Sequence, residues 1–264
     1  MTCNGADFRG GMGAQRQMVH DMSDAPPVID VPSSIVAFKY GLPNFFKALR
    51  ANGPVRVVAM GSSSTAGRGD DVVPYPARLE MYLRWEYQAR FPDMRLDVLN
   101  RGHGGQEAPE ERQRFQTDIF DLKPALVIWQ VGTNAVFHNY IIKDVAAEID
   151  KGLSQLSGQD FDVMLMDSQY STAMLKDDKA DASEQMMSLI AAAADKFEIN
   201  LFRRWALMRH WHIHNNVQLA DMVDPIDPDQ LHQNDWSMMQ VSKALFGAIK
   251  DLFTKTDSSI SHGS

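Results

Sequence analysis

The chain has 264 residues, is 44% hydrophobic and 23% charged, and carries a formal net charge of −8. That size and apolar content suit one α/β domain, or at most two small ones, and an acidic chain without a run of Lys or Arg argues against nucleic acid as a partner. Its single cysteine, Cys3, excludes an intrachain disulfide and a cysteine-based metal site.

In chain order, residues 1–30 are poor in aliphatics, and 1–34 read as a mobile or loosely docked N-terminal arm. They contain no apolar h-region, and no apolar run in the chain approaches a membrane span. The expected location is therefore the cytoplasm, with export left open for a truncated chain. Residues 36–50 read as a short helical lead-in. Val55–Met60 is an apolar run of strand length. Residues 75–91 place Leu79, Tyr82, Leu83 and Tyr87 on one helical face. Residues 96–100 read as a second strand. Pro109 with Glu110 and Glu111 marks a helix start, continued by Phe115, Ile119 and Leu122. Residues 125–132, apolar without alternation, predict a third strand buried on both faces.

Ile142, Val145, Ala146, Ile149, Leu153 and Leu156 form an amphipathic helical stripe, and 162–167 a fourth strand. A helix over 183–197 and a strand over 199–203 follow. After a looser segment, Asp235 reads as an N-cap, and Val241, Leu245, Ala248, Ile249 and Leu252 as the last helix. Residues 257–264 are expected to fray. This alternation predicts one domain over 35–256, a five-stranded parallel sheet with helices on both faces. In such sheets the ligand site lies beyond the carboxyl ends of the strands.

The strand-end loops carry the chemistry. Strand one ends in Gly61-Ser62-Ser63-Ser64-Thr65-Ala66-Gly67. Strand two ends in Asn100-Arg101-Gly102-His103-Gly104-Gly105. Strand three ends in Gly132-Thr133-Asn134. A fourth loop, Asp229-Gln230-Leu231-His232, precedes the last helix. The first loop lacks the lysine of a phosphate-binding loop, the spacing of a dinucleotide fingerprint and the last glycine of G-x-S-x-G. What remains is acyl transfer by serine. A hydroxyl needs a base within hydrogen-bond reach, which His232 can supply. Asp229, three residues earlier, can orient the imidazole. The Ser63 N–H, glycine-loop N–H groups and the Asn134 amide can hold the oxyanion. Against this stand the ordinary roles of serine clusters in caps and turns. His210, His212 and His214 lie close in sequence, but no carboxylate stands at metal-site spacing beside them, and they read as structural.

With these residues in place, the sequence resembles the SGNH/GDSL hydrolase family from about residue 55 to 252. "GSSSTAG" matches the first family block and places the nucleophile at Ser63. Asn100 and Gly105 match the second, "GTNA" with Asn134 the third, and "DQLH" with Asp229 and His232 the last. Two family aspartates are replaced, by Ser62 and Ala135. The resemblance implies a three-layer flavodoxin-like fold with strand order 2-1-3-4-5. It also implies a Ser63–His232–Asp229 triad and an oxyanion hole of Ser63, Gly105 and Asn134, with no cofactor and no metal. The expected substrate is a short-chain carboxylic ester, O-acetyl groups on carbohydrate included. Lipid esters, thioesters, acyl transfer and a catalytically silent binding protein are the alternatives.

Overall fold

The computed structural model describes residues 27–177 and 179–261. Most of the expected N-terminal arm, residues 1–26, lies outside the described residues. Residues 27–34 pack onto the body: the Trp211 indole N–H donates to the Asp30 carbonyl, and the Asp30 carboxylate bonds His210 and Asn215.

Two short helices open the described chain, α1 (Ser33–Val36) and α2 (Pro43–Arg50). Strand β1 (Pro54–Gly61) follows, then one helical turn α3 (Ser63–Ala66) and α4 (Tyr75–Tyr87). Strand β2 (Arg95–Gly102) leads to α5 (Ala108–Gln113) and α6 (Phe115–Asp118). Strand β3 (Leu126–Gln130) leads to α7 (Thr133–Phe137) and α8 (Ile142–Leu156). Strand β4 (Asp162–Met166) is followed by α9 (Thr172–Leu175) and α10 (Lys179–Lys196). Strand β5 (Asn200–Phe202), α11 (Arg204–His214) and α12 (Asp235–Ser261) complete the order. All four strand pairings are parallel, in the order β2-β1-β3-β4-β5, as expected.

β3 is buried at every position. A strand without polar alternation has to be covered on both sides, and two helical groups do so. α4 and α12 pack together, with Phe253 edge-on to Phe46 of α2 and to Tyr87 of α4. α5 and α10 both pack on α8, above Trp129, which stands edge-on to Phe115 at 5.1 Å between ring centres.

Several boundaries differ from expectation. α4 stops at Tyr87, where the chain turns ahead of Pro92 with the N–H groups of Arg90 and Phe91 both on the Tyr87 carbonyl. The helix expected from Pro109 to Leu122 is broken at Arg114 and again at Ile119. The N-cap of α12 is Asn234, whose side chain accepts the Ser237 N–H; Asp235 instead binds the Val73 N–H and Arg78. The segment after β5 holds α11, which is not only a surface helix: Trp205, Leu207, Met208 and Trp211 are buried. The expected frayed tail is helical as far as Ser261, with Asp257 paired to Arg50 and Arg90.

Gly152 of α8 lies hard against Trp129 of the sheet. A Cβ there would lie 2.3 Å from Trp129 Cη2 and 2.6 Å from its Cζ3. Alanine favours a helix over glycine by about 1 kcal/mol, but the buried ring has no room to retreat, and overpacking costs about 1–3 kcal/mol. Gly152→Ala is expected to lower stability in urea denaturation; an increase would show that Trp129 moves freely.

Candidate functional site

Four loops meet at the carboxyl ends of β1, β2 and β3. Of the four consecutive hydroxyls after β1, only Ser63 is partly exposed; Ser62, Ser64 and Thr65 are buried. Ser63 is the first residue of α3, so its side chain projects from the open end of a single helical turn. That turn is clamped from β2. Asn100 donates from its amide to the carbonyls of Thr65 and Ala66 and accepts the Gly102 N–H. Gly102 has no room for a side chain, since a Cβ would lie 2.2 Å from the Ala66 nitrogen. Asn100 therefore fixes the turn that carries Ser63.

The Ser63 hydroxyl lies 2.9 Å from His232 Nε2. The opposite ring nitrogen, Nδ1, lies 2.8 Å from Oδ2 of Asp227. The same oxygen accepts the backbone N–H groups of His232 and Leu231, at 2.8 and 3.0 Å. Burial works to raise the Asp227 pKa, but the His232 and Leu231 donors outweigh it and hold the carboxyl below its usual range. An ionised carboxylate only accepts, so Nδ1 donates and Nε2 faces Ser63 as the acceptor.

Asp229, expected as the partner of His232, is not at the ring. Its carboxylate is half-exposed, 3.8 Å from Arg68. The loop from Asp224 to His232 folds back so that the Gln230 N–H reaches the Asp227 carbonyl and the Asp224 N–H the His232 carbonyl. This turn brings the residue five before the histidine to the imidazole and leaves the residue three before it outside.

The remaining expected residues lie on the loops after β2 and β3. Gly105, with φ +78°, is exposed at the tip of the β2 loop, and Gly104 passes beside the Ser63 Cβ. Asn134 is buried in α7 and spends one amide hydrogen on the Gln106 carbonyl, 2.7 Å away. An amide has two, and the second remains for another acceptor.

The α7 turn depends on a residue that the sequence analysis did not single out. Glu107, fully buried, accepts N–H groups from Gly132 at 2.9 Å, Ala135 at 2.9 Å and Ala108 at 3.1 Å. It thus caps two short helices and supplies a carboxylate at Ala135, where the family motif has an aspartate. The signal was the capping box Glu107–Glu110 beside Pro109. Glu111, read as a first-turn acid, is buried too, and its Oε2 accepts the Trp129 indole N–H at 2.6 Å. Burial, then repulsion from Glu107, pushes the Glu111 carboxyl well above its usual range.

Ser63, His232 and a buried carboxylate in hydrogen-bonded series, at the strand ends of a five-stranded parallel sheet, place the chain among SGNH-type hydrolases. Residues 28–252 match the Non-GDSL lipase-like family, and the chain belongs to it. Among curated proteins, a 79-residue stretch is 39% identical to the uncharacterized lipoprotein YqeF of Bacillus subtilis. It covers 30% of this chain and 31%, about a third, of that relative. Among solved structures, the acetylxylan esterase Axe2 of Geobacillus stearothermophilus superposes with a TM-score of 0.61 at 17% identity, covering 74% of this chain and 94% of that one. LAE5, an alpha/beta hydrolase enzyme from the metagenome of Lake Arreo, gives 0.56 at 22% identity, covering 74% and 96%. The acetyl xylan esterase AlAXEase gives 0.59 at 18%, covering 74% and 100%. At these identities the likeness is one of fold. Two of the Axe2 structures are catalytic mutants, one with a serine and one with a histidine replaced by alanine.

The Glu107–Glu111 pair has a measurable consequence. A carboxyl with a raised folded-state pKa binds its proton more tightly folded than unfolded. Its contribution to stability is therefore lost as pH rises from the usual carboxylate range to the raised value. Glu111→Gln keeps an acceptor for the Trp129 N–H and removes the ionisation. It is expected to stabilise the protein at pH 8 in urea denaturation, with a smaller gain at pH 5. A gain that is larger at pH 5 would contradict the direction of the shift.

Proposed function

We propose that this protein is a serine carboxylic ester hydrolase that acts on short acyl esters, with O-acetyl groups on carbohydrate as the preferred substrate class. The carrying observation is the unbroken series from the Ser63 hydroxyl through His232 to the buried Asp227 carboxylate. Ser63 attacks the ester carbonyl while His232 Nε2 takes its proton. Asp227 holds the tautomer and stabilises the imidazolium. The Ser63 and Gly105 N–H groups and the free hydrogen of the Asn134 amide hold the oxyanion. His232 returns its proton to the leaving alcohol, giving an acyl-enzyme, and then activates the water that releases the acid.

The serine and histidine whose replacement defines the catalytic mutants of Axe2 are the residue types this reading assigns. The acetylxylan esterases among the structural relatives support an acetyl ester of a sugar. The exposed glycines of the β2 loop, with Gly104 beside the Ser63 Cβ, favour a small acyl group and an accessible alcohol side.

Turnover of p-nitrophenyl acetate is expected to fall by about 10³-fold or more in Ser63→Ala with unchanged circular dichroism. Undiminished activity would overturn the assignment. Rates are expected to drop along a series from acetate to octanoate esters, and acetylated xylo-oligosaccharide to lose its acetyl groups. Faster cleavage of the long esters would point to lipid instead.

The two aspartates separate cleanly. Asp227→Asn is expected to lower kcat by about 10²–10⁴-fold, the range for an orienting triad acid, while Asp229→Asn stays within about threefold. The reverse order would return Asp229 to the site.

A further inference from the structure

Resting on the proposed function, we infer that Gln169 is the positioning residue that holds the three catalytic loops in register, by bonding the immediate chain neighbour of the nucleophile, of the oxyanion amide and of the general base.

Gln169 follows β4 and has no exposed surface. Its Oε1 accepts the Ser64 hydroxyl at 3.1 Å and lies 3.3 Å from the Thr133 hydroxyl, whose single hydrogen it shares with the Ser168 hydroxyl at 3.2 Å. Its Nε2 donates to the Leu231 carbonyl at 3.1 Å. Ser64 adjoins Ser63, Thr133 adjoins Asn134, and Leu231 adjoins His232. Hydrogen bonding in the parallel sheet fixes where β1, β3 and β4 end, but not the loops beyond them. The His232 loop hangs from no strand of the sheet, and its own isolated bridge, Val223 to Gln233, joins it only to itself. Gln169 is a direct tie between that loop and the other two.

The orientation of the amide is settled by its neighbours. Arg204, buried and donor-only, donates to Oε1 at 2.9 Å, so the oxygen faces Ser64 and Arg204. The acceptor-only Leu231 carbonyl stands at the other end. Arg204 is itself fixed by the Asp167 carbonyl at 3.0 Å and by Gln233 Oε1 at 3.5 Å. His232 is therefore bracketed on both sides, through Leu231 and Gln233, by groups anchored at one buried guanidinium. Displacement of a catalytic group by about 1 Å can cost about 10²-fold in rate with substrate binding untouched. A residue acting through position should therefore change kcat and leave KM.

The test compares three variants with the wild type on p-nitrophenyl acetate, with thermal unfolding recorded for each. Gln169→Met keeps length and volume and removes every hydrogen bond. Gln169→Glu keeps the acceptor contacts and replaces the donor to Leu231 by a carboxylate oxygen, which cannot donate to that carbonyl. Ser183→Ala removes another fully buried bond, from the Ser183 hydroxyl to the Met174 carbonyl, which involves none of Ser64, Thr133 and Leu231, and serves as the control. The expected result is a kcat at least about 30-fold lower in Gln169→Met with KM within about threefold, an intermediate kcat in Gln169→Glu, and a control within about threefold of wild type. A folded Gln169→Met with wild-type kcat would overturn the inference, as would an equal loss in Ser183→Ala. Should Gln169→Met fail to fold, Gln169→Glu decides: a drop of about tenfold or more in kcat supports the tie, and wild-type kcat overturns it. Ser63-dependent turnover in the wild type with unaffected Gln169 variants removes this inference alone. Wild-type turnover that survives in Ser63→Ala removes the proposed function itself.

Discussion

One carboxylate oxygen, Oδ2 of Asp227, accepts three N–H groups: the His232 ring, the His232 backbone and the Leu231 backbone. These bonds shape the loop and set the histidine in one act. The backbone donors hold the carboxyl ionised, which forces Nδ1 to donate and leaves Nε2 as the acceptor facing Ser63. Without that charge the ring would lose both its tautomer and its anchor. The chemistry proposed for Ser63 thus depends on a local backbone turn as much as on the side chains usually named for it.

A second constraint is that polar groups behind the reactive surface are buried and must find partners. Glu107 gathers N–H groups from the starts of α5 and α7, Asn100 binds α3 to the end of β2, and Gln169 joins three loops. Each bond satisfies a buried donor or acceptor and fixes a loop at the same time. The sheet supplies the platform, and these few amides and carboxylates align what stands on it. Glu111 carries the cost of this arrangement, a second carboxyl buried beside Glu107 with a raised pKa.

The sheet was legible in the sequence because β1, β3 and β4 are short apolar runs bounded by turn residues, and the helices between them keep a 3.6-residue stripe. Helix ends were less so: α12 is capped by Asn234 and not by Asp235, since both are good caps and only tertiary contact with Val73 and Arg78 removes Asp235. The convergence of Ser63 and His232 followed from their places at the loops, and the structure sets them 2.9 Å apart. The acid did not follow. Asp224, Asp227 and Asp229 all precede His232 in one short loop, and spacing alone favoured Asp229. Which carboxylate reaches the ring is decided by how the chain turns around Pro228, a property of backbone conformation that motif spacing does not encode. Glu107 was hidden for a similar reason, because its capping box marks a helix start but not the second helix it also serves.

The most direct measurement is the site of reaction with a fluorophosphonate, read by peptide mapping of the labelled protein. A hydroxyl activated by the Asp227–His232 pair should take up the probe at near one equivalent, on Ser63 and not on Ser62, Ser64 or Thr65. An unlabelled protein, or label spread over the neighbouring hydroxyls, would contradict the convergence of the four loops on one reactive serine.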